Sequence, residues 1–141
     1  MMTLVNNFQL KLSSPSAMEF LALRSKVGWQ RVDIDAAQTS LVNSLFHVAI
    51  YDDVQLIAMA RVIGDGVMYF YVQGVAVDPD YQGLGLGSAL MESIENYLKS
   101  ATKKGATIGL LSVKGKEAFY RRYGYLERPN ASLGHGMCKF V

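Results

Sequence analysis

The chain has 141 residues, 50% hydrophobic and 18% charged, so we expect one folded domain over residues 1–141 and exclude a disordered chain. The net charge of +2 gives no support for a nucleic-acid partner, and aspartates interrupt the longest apolar runs before they could span a membrane. Cys138 is the only cysteine, which excludes an intrachain disulfide, and the N-terminus lacks a secretory-signal pattern. We therefore expect a cytoplasmic protein with no metal site.

The first predicted elements are a strand and two helices. Residues 8–13 alternate between apolar and polar side chains, as in a strand. A helix follows, with Ser14 as its N-cap, Pro15 at its first position and Gly28 after its last turn. The next helix begins at a cap formed by Asp33 or Asp35.

Three strands are predicted within residues 44–77, separated by turns at residues 52–53 and 64–66. The later predicted elements are a helix over about residues 87–100, a strand over 106–113, a short helix over 115–124 and one or two closing strands in the tail. This order predicts an α/β (α+β) fold in which a mixed sheet carries helices on its faces.

A glycine-rich turn joins the last of these three strands to the following helix. The stretch YQGLGLGS carries Gly83, Gly85 and Gly87 at alternate positions. Glycine lets the backbone approach a ligand closely, and the free N–H groups at a helix N-terminus favour an anion. The turn therefore predicts a cradle for a phosphate group; the alternative is a tight turn that binds nothing.

Two other phosphate-binding loops fit this turn poorly. A P-loop needs a lysine beside its last glycine, but Gly87 is followed by Ser88. A dinucleotide-binding loop needs a third glycine where Ser88 stands, and an acidic residue about 20 residues further on. The chain reads SATKKGA at that distance. An enzyme that uses a nicotinamide cofactor is therefore a weak alternative.

Two segments resemble the GNAT N-acetyltransferases. Gln82, Gly85 and Gly87 match that family's cofactor motif, Gln/Arg-x-x-Gly-x-Gly/Ala. The segment AFYRRYGY, residues 118–125, is similar to the family's Phe-Tyr-x-x-x-Gly-Phe/Tyr segment. The order of the predicted elements also resembles that fold from end to end. The resemblance implies a mostly antiparallel central sheet that splays at the strand before the glycine turn.

The resemblance implies acetyl coenzyme A (acetyl-CoA) as the cofactor, with its pyrophosphate on backbone N–H groups of the glycine turn. Its pantetheine arm would pair with the edge of the preceding strand. The implied cofactor-binding residues are Val75, Ala76, Val77, Gln82, Gly83, Leu84, Gly85, Leu86, Gly87, Ser88, Phe119, Tyr120 and Arg122. Three basic neighbours of the second motif either contact the cofactor's phosphates or form a solvated face: Lys114, Lys116 and Arg121.

Direct transfer of an acetyl group to an amine requires an acid for the leaving thiolate and a base for the amine, but no protein nucleophile. The resemblance assigns the acid to Tyr120, whose alternative role is packing. Many family members carry an acidic residue where this chain has Gly74. The base is therefore open between a water held by Gln73 and a tyrosine, Asp65, and His47.

In this fold the acceptor pocket is built by the first helices, the loop after the first of them and the middle strands. The candidate substrate-binding residues are Trp29, Tyr69, Tyr71 and Gln73. Because they are aromatic or neutral, and acidic residues are scattered, we expect a small-molecule amine. The alternatives are a coenzyme A-binding module without catalysis, a protein or peptide acceptor, and a different acyl group. The resemblance also leaves a homodimer open.

Overall fold

The computed structural model describes residues 7–141, which form five strands, four α-helices and one 3-10 turn. The strands are β1 (Gln9–Lys11), β2 (Phe46–Asp52), β3 (Gln55–Gly64), β4 (Tyr69–Val77) and β5 (Thr107–Leu110). The helices are α1 (Ala17–Lys26), α2 (Ile34–Val42), α3 (Leu86–Ala101) and α4 (Glu117–Arg121), and the 3-10 turn spans Pro79–Tyr81. The chain divides into two compact units, one ending at Ile108 and one spanning Gly109–Val141. A single domain stays a prediction.

The strands form one five-stranded sheet in the order β1-β2-β3-β4-β5. Strands β1 to β4 pair antiparallel with their neighbours in the chain. Short turns join β2 to β3 and β3 to β4, whereas α1 and α2 lie between β1 and β2 in the chain. Gly64 is required between β3 and β4, because a Cβ atom there would lie 2.1 Å from the Tyr69 carbonyl oxygen. The predicted mixed, mostly antiparallel fold is confirmed.

Helices cover both faces of the sheet, as predicted. On one face, α1 and α2 bury a cluster that includes Phe20, Leu23 and Leu41 with Met59 of β3. On the other face α3 contacts β2, β3 and β4, and its Tyr97 ring stacks on Phe46 with ring centroids 4.5 Å apart. The side of the sheet that α1 and α2 cover is called the α1/α2 face below.

The first helix begins two residues later than predicted. Its N-cap is Ser16, not Ser14. The Ser16 hydroxyl accepts from the Glu19 N–H at 3.1 Å, while the Ser16 N–H donates to the Glu19 carboxylate at 2.8 Å. This reciprocal capping box needs an acidic side chain three residues after the cap, and only Ser16 has one. The prediction of Asp33 as one of two caps for α2 is confirmed.

The prediction of closing strands in the tail is wrong for the described residues, since no strand follows β5. One reason is local. The Asn130 side-chain carbonyl accepts from the N–H groups of Ser132 and Leu133, at 3.0 Å and 2.9 Å, which turns the backbone rather than extending it. Strand β5 is also shorter than the predicted 106–113. No helix within residues 7–141 is both long and apolar enough to cross a membrane.

Candidate functional site

The N-terminus of α3 is not capped by a side chain. Its N-cap is Gly85, in the left-handed conformation with φ 79°, and no acidic residue lies in the first turn. The first helical hydrogen bond runs from the Ala89 N–H to the Gly85 carbonyl at 3.1 Å. The N–H groups of the first turn before Ala89 therefore have no acceptor within the helix, and the helix dipole adds positive potential there.

Backbone conformation, not crowding, explains two glycines of this turn. Gly83 and Gly85 have φ near +80°, and a Cβ atom on either would meet nothing within 4 Å. Gln82 and Leu84 are exposed beside them, while Leu86 is buried and anchors the start of the helix. Gly87 and Ser88 are partly buried in its first turn. The turn thus combines open space with unpaired backbone donors, which is the chemistry that binds a phosphate.

Strand β4 carries a bulge just before this turn. Met59 pairs with Ala76 and Arg61 pairs with Gln73, so Gly74 and Val75 together oppose one residue of β3. Gly74 has φ +71°, and a Cβ atom there would lie 3.9 Å from the Trp29 ring. A side chain at position 74 would be strained, which gives a physical reason why no acidic residue stands there.

The predicted pantetheine edge, Val75 to Val77, lies beyond the reach of β5. The Thr107 N–H donates to the Met68 carbonyl at 2.8 Å, so β5 begins beside the residue that precedes β4. Strand β5 has four residues and β4 has nine. A four-residue strand that begins beside Met68 ends short of Val75.

The α1/α2 face holds a buried arginine that the sequence analysis missed. Arg61 is 5% exposed and lies in register between His47 of β2 and Gln73 of β4. Its Nε donates to the Gln73 side-chain oxygen at 2.7 Å. Its Nη1 donates to the Ser40 carbonyl at 3.0 Å and to the Ser44 hydroxyl at 2.9 Å. All three partners are neutral.

A second missed arginine lies on the same face. The guanidinium carbons of Arg24 and Arg61 lie 5.5 Å and 5.3 Å from the centroid of the Phe20 ring. Arg24 also lies 5.5 Å from the Trp29 ring centroid, and its Nη2 donates to the Gln30 carbonyl at 3.0 Å. Burial lowers the pKa of both guanidinium groups, and Arg24 lowers the pKa of Arg61 further. The two cations are therefore close enough to repel each other.

The structure brings together part of the predicted substrate-binding set. Trp29 approaches Gly74, and Gln73 holds Arg61, so both belong to one region of the α1/α2 face. Tyr69 and Tyr71 are on the same face by strand alternation. Tyr69 is 59% exposed at the start of β4, whereas Tyr71 is partly buried.

Both alternative bases, Asp65 and His47, form hydrogen bonds to backbone groups. The Asp65 carboxylate accepts backbone N–H groups from residues 67–69, which lowers its pKa. One ring nitrogen of His47, Nε2, donates to the Leu41 carbonyl at 2.9 Å, and Nδ1 is buried with no partner in the described residues. Burial lowers the pKa of His47, with a smaller contribution from Arg61 in the same direction. Both side chains thus serve local structure.

The second motif lies in the second unit, on and after α4. The Tyr120 ring contacts Phe119 and Tyr125 edge to face, with centroids 5.1 Å and 6.4 Å away. The Arg122 guanidinium lies 5.0 Å from the Phe119 ring centroid. Arg121 forms an ion pair with Glu127, and Lys114 and Lys116 are exposed. The roles that the motif assigns to Phe119, Tyr120 and Arg122 stay predictions.

Comparison with known proteins decides the family. The family model for the acetyltransferase (GNAT) domain matches residues 43–127. The chain belongs to the GNAT acetyltransferase family. A protein of unknown function from meticillin-resistant Staphylococcus aureus, described as a probable acetyltransferase, has a similar structure: the TM-score is 0.85 at 31% identity, over 94% of this chain and 99% of that one.

Curated relatives are longer than this GNAT chain. The uncharacterized N-acetyltransferase ycf52-like of Prochlorococcus marinus is 33% identical over 82% of this chain and 65% of its own length. Histone acetyltransferase TAP1 of Glycine max is 31% identical over 80% of this chain and 53% of its own. Serotonin N-acetyltransferase 2, chloroplastic, of Oryza sativa is 40% identical over 55% of this chain. The chain spans 38% of that last relative.

Proposed function

We propose that this GNAT protein transfers an acetyl group from acetyl-CoA to the amine of a small molecule. The observation that carries the proposal is the uncapped N-terminus of α3, with its left-handed glycines and open space. Two negative charges of a pyrophosphate would be stabilised there by backbone N–H groups and by the helix dipole. Family membership supports the same assignment.

The remaining cofactor contacts are proposed from the chain's own backbone. Val75 to Val77 would offer N–H and carbonyl groups to the pantetheine amides, in the manner of an added strand. Phe119, Tyr120 and Arg122 are proposed contacts from the family motif alone. When bound, acetyl-CoA supplies an acetyl thioester that is already activated for attack by an amine.

The proton transfers are assigned to Tyr120 and to water. The phenol of Tyr120 holds its proton at neutral pH and would donate it to the departing thiolate. On the amine side, Gly74 provides no carboxylate. The Gln73 oxygen already accepts from Arg61, so its amide nitrogen is the group that would hold a water molecule for the amine proton. A base this weak favours amines of low pKa, or a raised pH.

A small-molecule acceptor is supported by Trp29, Tyr71 and Gln73 on the α1/α2 face, because aromatic and neutral side chains suit a compact substrate. The names of two relatives point in different directions, one to serotonin and one to histone. A protein or peptide acceptor is therefore the second candidate, and a catalytically inactive coenzyme A-binding module is the third.

The test is release of coenzyme A thiol from acetyl-CoA, measured with a panel of small amines and with basic peptides at about pH 7 and about pH 9. The proposal predicts turnover of at least one small amine, faster at the higher pH, and none above background with peptides. Turnover of peptides alone would show that the acceptor is a protein or peptide and not a small molecule. Binding of acetyl-CoA without any turnover would leave only the binding module.

Two further predictions concern the oligomeric state and the cellular location of the protein. The resemblance alone suggests a homodimer, and analytical ultracentrifugation of the purified chain measures the oligomeric state. The cytoplasmic location is predicted from the sequence alone, whereas the name of one relative places that protein in the chloroplast. Fractionation of the source cells distinguishes these compartments.

A further inference from the structure

The α1/α2 face carries two positive charges that no carboxylate neutralises. No carboxylate within residues 7–141 forms an ion pair with Arg24 or Arg61, whereas Lys26 pairs with Asp78 and Arg121 with Glu127. The first six residues, MMTLVN, contain no acidic side chain that could supply one. A buried arginine normally has a carboxylate or another anion beside it.

Nearby carboxylates have other partners. Glu19 accepts from the Ser16 N–H at 2.8 Å and from the Tyr51 hydroxyl at 3.2 Å. Asp33 caps α2, accepting from Asp35 and Ala36 N–H groups at 3.1 Å and 3.2 Å. The carboxylates of Glu19 and Asp33 are thus hydrogen-bonded to other groups, and neither neutralises the arginine pair (Arg24 and Arg61).

The donors of the arginine pair are only partly used. A guanidinium has five N–H donors. Arg61 uses Nε and Nη1, and Arg24 uses Nη2 toward the Gln30 carbonyl. Arg24 Nε is buried, and no group within residues 7–141 accepts a hydrogen bond from it. Such an orphaned donor costs free energy unless a ligand satisfies it.

We propose that the arginine pair binds an anionic group of the acceptor, so that the substrate is an amine that also carries a carboxylate or a phosphate. This inference rests on the proposed acetyltransferase function and narrows its substrate class. Arginine suits both anions, because its planar fork donates two parallel hydrogen bonds to adjacent oxygens. The position is consistent with this role, since Trp29 and Gln73 contact these arginines and Gly74 lies beside Trp29.

A purely structural role is the competing account. In this account Arg61 links the C-terminus of α2 to the sheet by hydrogen bonds, and Arg24 packs against the Phe20 and Trp29 rings. The neutral hydrogen-bond partners and the aromatic rings would then be sufficient to stabilise the two guanidinium groups, and an anionic group on a ligand would not increase its affinity. The two accounts differ in whether an amine with an anionic group binds better than an amine of similar shape that lacks this group.

The experiment is calorimetric titration of matched probes into the full chain saturated with coenzyme A, which prevents turnover. One arm compares 4-(2-aminoethyl)benzoate with phenethylamine, and the other compares glucosamine 6-phosphate with glucosamine. The proposal predicts that the anionic probe of at least one pair binds roughly tenfold to hundredfold more tightly, as expected for charge-assisted hydrogen bonds. The preferred arm identifies carboxylate or phosphate.

Variants assign the preference to the arginine pair. Arg24→Gln should reduce the ratio within the preferred pair to about one. Lys104→Gln removes one positive charge from an exposed turn and should leave the ratio unchanged. Arg61→Lys keeps a charge but loses the fork, so it should lower the ratio while circular dichroism verifies the fold.

Equal affinities within both pairs, or no measurable binding of any probe, would overturn the inference. An anion preference that survives Arg24→Gln would overturn it as well. Failure of the proposed function has a different signature, because no amine would then be acetylated even if the anion titration gave the expected result.

Discussion

The helices of the first unit begin in two different ways. The N-termini of α1 and α2 are capped by side chains, Ser16 with Glu19 in α1 and Asp33 in α2, and are called closed ends below. The N-terminus of α3 begins at Gly85 and has no side-chain cap, although α3 is the longest helix, with 16 residues. The comparison shows which helix ends serve the fold and which one is open to an external anion.

The C-terminus of α2 belongs with the closed ends. The Ser40 carbonyl accepts from Arg61, and the Leu41 carbonyl accepts from His47. Positive or polar side chains at a helix C-terminus satisfy carbonyls that have no partner in the helix. Mutations at the closed ends should therefore change stability, whereas mutations at the open end should change ligand binding.

The largest effect is expected from Gly85→Glu. The change places a carboxylate at the open end of α3, where it would occupy the anion site and repel phosphate. We expect acetyl-CoA binding to fall below detection in calorimetry. Gly105→Glu is the matched control, because Gly105 is also exposed and left-handed with nothing within 4 Å of a Cβ atom.

Both glycine variants carry the strain of a side chain at positive φ, so both should be less stable by about 1 kcal/mol or more. Only Gly85→Glu should lose the ligand. Retained acetyl-CoA affinity in Gly85→Glu would show that the open helix end is not the pyrophosphate site.

The next effect in size separates chemistry from binding. Tyr120→Phe removes the proposed acid and should lower kcat by about 100-fold or more, with the acetyl-CoA Kd unchanged. Tyr123→Phe, in the same segment, should leave kcat near the wild-type value. Steady-state kinetics and calorimetry measure the two quantities. A Tyr120→Phe enzyme with an unaltered kcat across the pH range would return Tyr120 to a packing role.

A smaller effect is expected at the closed N-termini. Ser16→Ala and Asp33→Ala each leave N–H groups without their side-chain acceptor, and each should lower the free energy of unfolding by about 1 kcal/mol. Urea denaturation measures this loss. Acetyl-CoA affinity should stay at the wild-type value in both variants. A loss of affinity in either variant would contradict the claim that the capped helix ends affect stability and not ligand binding.

The smallest effect concerns pH at the C-terminus of α2. Burial lowers the pKa of His47 below its ordinary value of 6.5. The unfolded chain therefore binds this proton more readily, and the free energy of unfolding should fall as the pH drops through about 6.5. Urea denaturation between about pH 7.5 and about pH 5 measures the slope, and His47→Gln should reduce it. An unchanged slope in His47→Gln would assign it to other groups.

The sequence predicted the open helix end well because its signals are local. Alternating glycines followed by a helical pattern can be recognised within ten residues, and the helix predicted from about residue 87 begins at Leu86, directly after Gly85. The cap of α1 shows how local signals still compete. Ser14, before Pro15, fits one rule, but Ser16 fits the capping-box rule through Glu19, and the two reciprocal hydrogen bonds decide the outcome.

The arginine pair could not be predicted in the same way. Arg24 and Arg61 are 37 positions apart, and both approach the Phe20 ring only because α1 packs on β3. One signal was present: Arg61 interrupts the apolar run LIAMARVI, where a charged residue in a buried strand needs an explanation. The bulge that places Gly74 beside Trp29 likewise depends on strand register, which the sequence pattern does not fix.

The central claim is that the open end of α3 binds the pyrophosphate of acetyl-CoA. Calorimetric titration of acetyl-CoA into the purified chain tests it most directly, with NADH and ATP as controls. The account predicts one site per chain with micromolar affinity for acetyl-CoA and no comparable binding of either control. Absence of acetyl-CoA binding, or equal binding of all three ligands, would contradict it.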